Sequence, residues 1–206
     1  ALNKFIGNRG AAELKAWIEK FYDQHGAEIS KTILPLLQRD SVEIGTAASD
    51  EVDKDFALSP EFEQFVKDYS NTFGIRHSSS SKGQLLALLE DVSPEDVESV
   101  IEGRLSEWEQ KRPEKISSRE VVQANNAVAR TVFIAAGIMK LRWVSQGAKS
   151  CPWCQSLNNK VVGIQTPFIG EGLFEPKGAD DSMKVRGPKF NSPLHAGCVC
   201  SIVPSI

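Results

Sequence analysis

No cysteine precedes Cys151 in this 206-residue chain and histidine occurs only three times, so the first two thirds are poor in soft metal ligands. Charge of one sign is not in excess. The 24 Lys and Arg against 27 Asp and Glu leave a net charge of -3, which argues against a generic nucleic-acid binder. Long apolar runs are absent too: the longest, Val132 to Met139, is far too short to span a bilayer. The opening Ala-Leu-Asn-Lys-Phe-Ile-Gly-Asn has no stretch of signal-peptide length, so export by the usual route is not expected. The motifs of common enzyme classes are missing as well. There is no Gly-x-x-x-x-Gly-Lys-Ser/Thr phosphate loop, Gly147-Ala-Lys-Ser being only a fragment of one, and no His-Glu-x-x-His or His-x-Glu pattern. No serine is flanked as a nucleophile elbow, and no catalytic residue is assigned. With 41% hydrophobic residues, a soluble globular chain with one or two cores is expected.

What is present is concentrated. All four cysteines and one histidine fall in the last third, as Cys151-Pro-Trp-Cys154 and His195-Ala-Gly-Cys198-Val-Cys200. A Cys-x-x-Cys turn points two sulfurs at one centre, and a His-x-x-Cys turn can complete a tetrahedral shell around zinc. Five donors compete for four places: Cys151, Cys154 and His195 form the secure part, while Cys198 and Cys200 contend for the last. If 198 to 202 run as a strand, its period of two puts both sulfurs on one face. Two disulfides from the same even set are the alternative in an oxidising compartment. A structural zinc is the reading adopted over a catalytic one, because a hydrolytic site keeps an open position and a nearby general acid or base. His25 and His77, far away in sequence, read as ordinary helix-face or loop residues.

Ahead of the cluster the chain reads as helices. Leu14, Trp17, Ile18, Phe21, Tyr22, Ile29, Ile33, Leu36 and Leu37 recur at three-and-four spacing, a long first helix that Gly26 or Pro35 bends or ends, and residues 40 to 57 lose the pattern. Ser59-Pro60 starts a second helix with Phe62, Phe65, Val66, Tyr69 and Phe73 inward. Gly74 and the serines at 78 to 81 are expected to form a loop, followed by a short third helix capped by Ser81 and Gln84. Ser93-Pro94-Glu95-Asp96 opens a fourth helix, running to about Lys111 before Pro113, with Val97, Val100, Ile101, Leu105 and Trp108 as its stripe. A capping box at Ser117 and Glu120 opens a fifth, which carries Val121, Val122, Ala124, Val128, Ala129, Val132 and Phe133, has Asn125 as its one polar interruption and stops at Gly137.

After Gly137 the texture changes. Met139 to Ser145 and Lys160 to Ile164 read as strands, and residues 165 to 192, rich in Gly and Pro, read as a long irregular surface excursion. Lys184, Arg186 and Lys189 in it offer contact to phosphate or an acidic partner, although such short basic runs are more often simply solvated. The expected fold class is α+β, a mainly helical N-terminal region followed by a small zinc-stapled mixed α/β module.

Ser118-Arg119 leading into an alanine-rich helix, Gly137, Trp143 on a strand, Cys151-Pro-Trp-Cys154-Gln-Ser-Leu-Asn-Asn-Lys-Val-Val and the closing Pro-Leu-His195-Ala-Gly-Cys198-Val-Cys200 together resemble the phage Mu protein F-like, or phage head-morphogenesis, family of minor capsid proteins. The resemblance covers about residues 117 to 204, and its specific part is the order and spacing of the Trp, Cys-x-x-Cys and His-x-x-Cys-x-Cys elements. That family typically has proline directly after the histidine and a basic residue between the last two cysteines, where this chain has Ala196 and Val199. The resemblance implies a structural role in capsid and head assembly of a tailed phage or prophage, near the portal and within the virion head, after synthesis in the bacterial cytoplasm. Its implied partners are portal and other head or scaffold proteins, with a weak DNA contact and no membrane. It implies a division into 1–115, a helical arm or portal-like tail, and 116–206, the module carrying the metal cluster. A toxin-associated or nucleic-acid-processing zinc protein is the alternative from a different functional class.

Overall fold

The structure, a computed structural model, describes residues 11–90, 92–93, 95–147 and 150–205. The N-terminal octapeptide, the helix-opening Pro94 and the Ala148-Lys149 part of the phosphate-loop fragment lie outside these residues. Three long helices come first: α1 (Ala11–Asp50), α2 (Pro60–Leu88) and α3 (Val97–Ala135). They are followed by β1 (Lys140–Val144), α4 (Pro152–Leu157), β2 (Val161–Gly163), β3 (Gly172–Phe174), β4 (Met183–Val185) and β5 (Ser201–Pro204). The fold is thus a helical N-terminal region and a small strand-containing C-terminal module, the α+β class expected. Among the described residues no helix is long and apolar enough to cross a membrane.

The chain divides into two compact units, Ala1–Arg39 with Ser59–Pro113 and Asp40–Leu58 with Glu114–Ile206. Three anticipated breaks are absent, and the loss of two of them, at Gly74 and Pro113, reduces the five helices expected ahead of the cluster to three. Pro35 and Pro113 lie inside α1 and α3. Each removes one backbone hydrogen bond, a cost of about 3 kcal/mol that the apolar stripes on either side outweigh. The third break, Gly74 with the serine run, is a packing face instead. Buried Phe62, Val66, Ser70, Phe73, Gly74, Ser78, Ser81 and Leu85 trace one continuous stripe down α2. A Cβ placed on Gly74 would lie 2.2 Å from the Gly26 carbonyl oxygen, so α1 and α2 approach backbone to backbone at this pair. The hydroxyls flank it. Ser70 Oγ donates to the Ser30 carbonyl at 2.7 Å, Ser30 Oγ donates to Asn71 Oδ1 at 2.7 Å, and the Ser78 hydroxyl donates to the Tyr22 carbonyl. Small residues admit the close approach and then satisfy their own polarity across it.

Ser81 and Gln84 likewise sit inside α2 and cap nothing. They receive Arg112, whose guanidinium donates to Ser81 Oγ at 2.7 Å and to Gln84 Oε1 at 3.0 Å while lying 3.4 Å above the Trp108 ring. Leu14, Ile18, Leu85, Val97 and Ile101 form the core of this first unit, with Trp17, Tyr22, Leu105 and Trp108 packed against it. Two residues placed on apolar stripes by their spacing are exposed, Leu36 at 52% and Val121 at 60%. Ser59 caps α2 as expected, accepting from the Phe62 N–H at 3.2 Å. Ser117 and Glu120 lie within α3 and open no helix.

In the second unit, β1 is the middle strand of an antiparallel sheet ordered β2-β1-β5, with Leu141 opposite Val162 and Trp143 opposite Ile202. Gly137 ends α3 at φ +78°, where the Ile138 N–H reaches the Phe133 carbonyl and the Gly137 N–H reaches that of Ile134. This is a Schellman closure, and it directs the chain into β1. Val128, Val132, Phe133, Leu141, Trp143 and Phe168 are buried, with the last two rings edge to face at 5.3 Å between centroids. Residues 165 to 192 are less irregular than expected, because β3 and β4 pair as a hairpin and Ile169 bridges Lys189.

The outer edge of β5 is closed by a side chain. Asn126, 5% exposed, accepts from the Ile202 N–H at 2.8 Å and donates to the carbonyls of Cys200 at 3.3 Å and Val122 at 2.8 Å. Its amide takes the place of a neighbouring strand. Replacing Asn126 by Ala will leave one buried donor and one buried acceptor unpaired, a loss of about 2 kcal/mol. Asn125→Ala, at the exposed neighbouring position singled out from sequence, should change stability by less than about 0.5 kcal/mol. Paired denaturant titrations check both, and equal effects would remove Asn126 from this role.

Candidate metal centre

Two short turns carry the five candidate ligands, and the sheet brings them together. β1 leads towards the first turn and pairs with β5, which directly follows the second. Cys151 sits at the N-cap of α4, Pro152 occupies the first helical position, and Cys154 falls in the first turn with 2% exposure. Proline fits there because its missing N–H has no acceptor to serve in the first turn. The second turn is closed by the Cys198 N–H on the His195 carbonyl at 3.2 Å, with Gly197 at φ +76°. That left-handed backbone favours glycine, which has no Cβ to strain. The Gln146 side chain steadies the turn by donating to the Val199 carbonyl at 3.2 Å.

The ligand atoms of Cys151, Cys154 and His195 all lie within 4.8 Å of one another, and so do those of Cys154, Cys198 and Cys200. Cys154 belongs to both sets. All four cysteines are free thiols, with Cys154 Sγ 3.6 Å from Cys198 Sγ, far beyond the ~2.05 Å of a disulfide. Cys154 Sγ lies 3.5 Å from His195 Nε2, and Cys151 Sγ lies 2.9 Å from the same nitrogen. Around an ion with sulfur at ~2.3 Å and nitrogen at ~2.0–2.1 Å, tetrahedral geometry separates ligand atoms by ~3.5–3.8 Å. Both Cys154 distances match that spacing, and the Cys151 contact needs to open by about 0.6 Å. The cluster can therefore hold a metal ion.

Surrounding groups prepare the donors. His195 Nδ1 is 2.7 Å from the Ala196 carbonyl, which places the ring proton on Nδ1 and turns the Nε2 lone pair towards the two sulfurs. Trp153 stands edge to face with the imidazole at 6.0 Å and donates its indole N–H to the Asp181 carbonyl. The three buried thiols lie close enough to hydrogen-bond with one another. Contact with Cys154 pulls the Cys198 thiol well below the ordinary range, and the same contact pushes Cys154 well above it. Cys200 is raised: the pull of Cys154 downward is outweighed by Cys198 and by burial. Trp143 Nε1, also buried, has no partner at hydrogen-bond distance among the described residues and faces the Cys200 sulfur, whose thiolate it favours.

Cys198 and Cys200 precede β5, so the strand alternation expected over 198 to 202 does not orient them. His25 and His77 lie in α1 and α2, against Phe21 and Phe73, outside both ligand sets. Lys184 and Arg186 are exposed on and just after β4, while Lys189 is half-buried in the bridge to Ile169. Sequence reasoning missed Asn126, Ser192 and the Trp143 indole N–H as supports of this centre. A polar residue at a buried helical position was a signal for Asn126, but the adjacent asparagine masked it. Comparison with family models, with curated proteins and with solved structures finds no match to this chain.

Proposed function

We propose that this chain is a structural minor head protein of a tailed phage or prophage, whose C-terminal module is held together by one zinc ion. The observation that carries the reading is the meeting of two ligand sets, Cys151-Cys154-His195 and Cys154-Cys198-Cys200, at the shared Cys154, in an order of Trp, Cys-x-x-Cys and His-x-x-Cys-x-Cys that resembles the head-morphogenesis family. Zinc suits a mixed thiolate and imidazole set of closed tetrahedral geometry. In a module with a short sheet and a long hairpin excursion, the ion supplies folding free energy that a small core lacks. It joins the turn after β1 to the turn before β5. The helices offer surface for portal, head or scaffold proteins, and the virion head is the location that follows.

Protein purified without added metal should contain about one zinc per chain by elemental analysis. Metal-free protein without reagent-titratable thiols would replace the zinc with disulfides. The assembly role predicts portal and terminase genes beside the coding sequence and the chain itself in purified particles. A neighbouring immunity gene, with particles lacking the chain, would assign it to a toxin system instead.

A further inference from the structure

We infer that Cys198 completes the metal's coordination shell, and that Cys200 is an outer thiol that hydrogen-bonds to the coordinated sulfurs without binding the ion. This rests on the metal-site reading above and assigns the five donors individually. The first observation is distance. Cys198 Sγ stands 3.6 Å from Cys154 Sγ, the ligand common to both sets and one edge of a tetrahedral shell, and closing the shell requires Cys198 to draw in by about 1 Å towards the Cys151-His195 side, where the two sets are not yet within 4.8 Å of one another. The second is the company each sulfur keeps. The hydroxyl of fully buried Ser192 lies 3.6 Å from the Cys198 sulfur, and backbone hydrogen bonding from Leu194 and Cys200 favours its thiolate. Convergent donors of this kind stabilise and orient a metal-bound thiolate. The third is backbone placement: Cys198 closes the His195-x-x-Cys198 turn, so its position is tied to that of the imidazole ligand.

Cys200 is held by different means. Its carbonyl is anchored by Asn126, the next residue begins β5, and its sulfur faces the otherwise unpartnered Trp143 N–H. The sheet and α3 therefore set where Cys200 sits, and the histidine turn does not. From there its thiol lies within reach of both Cys154 and Cys198 and can donate to their sulfurs. Three thiolates and an imidazole leave a buried zinc site with excess negative charge, and an S–H donor with an indole N–H behind it disperses that charge.

Cobalt(II) substitution in the full chain tests the assignment, because thiolate-to-cobalt charge-transfer intensity follows the number of coordinated sulfurs. Cys200→Ala should bind one cobalt with unchanged intensity and bind zinc roughly 10-fold more weakly, the scale of an outer-shell loss. Cys198→His, which keeps a donor at that position and so guards against simple misfolding, should bind one cobalt with intensity lower by about a third. The converse pattern, a one-third loss in Cys200→Ala with Cys198→His unchanged, would overturn the assignment. So would two cobalt ions per wild-type chain, one for each ligand set. Wild-type protein that binds neither cobalt nor zinc would sink the metal-site reading itself.

Discussion

The Cys154→Ser protein is expected to lose stoichiometric zinc and to unfold its second unit by on the order of 5 kcal/mol or more, while the first unit keeps its own stability. Cys154 is the sensitive position because it is common to both ligand sets and is 2% exposed. Removing it strips a donor from whichever four complete the shell, and it places a hydroxyl where a sulfur had buried partners. Structural zinc sites supply roughly 10–16 kcal/mol of apparent binding free energy at neutral pH, and a site reduced to three ligands forfeits a large part of it. Segment-resolved hydrogen exchange is the suitable measurement. Protection should vanish from Lys140–Val144 and Ser201–Pro204 and persist across Pro60–Leu88. Retained protection in the strands of the Ser variant would show that the ion, if present, does not hold the module.

The second large effect belongs to a helix crossing. Gly74→Val should destabilise the first unit by about 3 kcal/mol, lowering its melting temperature by roughly 12–24 °C. Even the first atom of the new side chain meets backbone, the Gly26 carbonyl oxygen at 2.2 Å and the Ser30 nitrogen at 3.1 Å, and neither can swing aside as a side chain would. Separating the helices would also stretch the Ser70 and Ser30 hydrogen bonds. Gly83 is the control on the same helix. A Cβ there meets nothing within 4 Å, so Gly83→Ala should gain roughly 0.5–1 kcal/mol from helix propensity alone. Equal and small shifts for the two variants in calorimetry would mean that α1 and α2 do not touch at Gly74.

These two cases show where the fold could be read from sequence and where it could not. Apolar periodicity located Leu14, Ile18, Phe62, Val97, Ile101, Val128 and Phe133 at buried positions, because burial of such side chains follows helical phase. The two strands flanking the Cys-x-x-Cys turn were legible for a related reason, being short runs with strand-favouring residues, Trp143-Val144 and Val161-Val162, set between turn residues. Breaks were misjudged because Gly, Ser and Pro carry two meanings. Locally they favour turns, but a glycine facing another glycine lets two helices meet, and that partner lies 48 residues away where no window around Gly74 reaches it. Pro35 and Pro113 cost a hydrogen bond each, and tertiary packing decided the outcome. The ligand candidates were visible from spacing alone. The order among Cys198 and Cys200 was not, since it depends on which hydrogen-bonding groups surround each sulfur, and that is a property of the closed turn.

The second unit is assembled from two separated stretches, with the greater part of the first unit's sequence between them. Synthesis delivers Asp40–Leu58 early and Ser201–Pro204 last, so the early piece emerges from the ribosome long before its partners exist. An expressed fragment cut at residue 114 would carry every thiol and the histidine yet omit Ile44, Ala47 and Ala48, which face Val122, Ala129 and Ile202 across a shared cleft. Dividing this polypeptide for laboratory study therefore calls for a circular permutation or co-expression of both stretches, since no single cleavage point yields two self-sufficient halves.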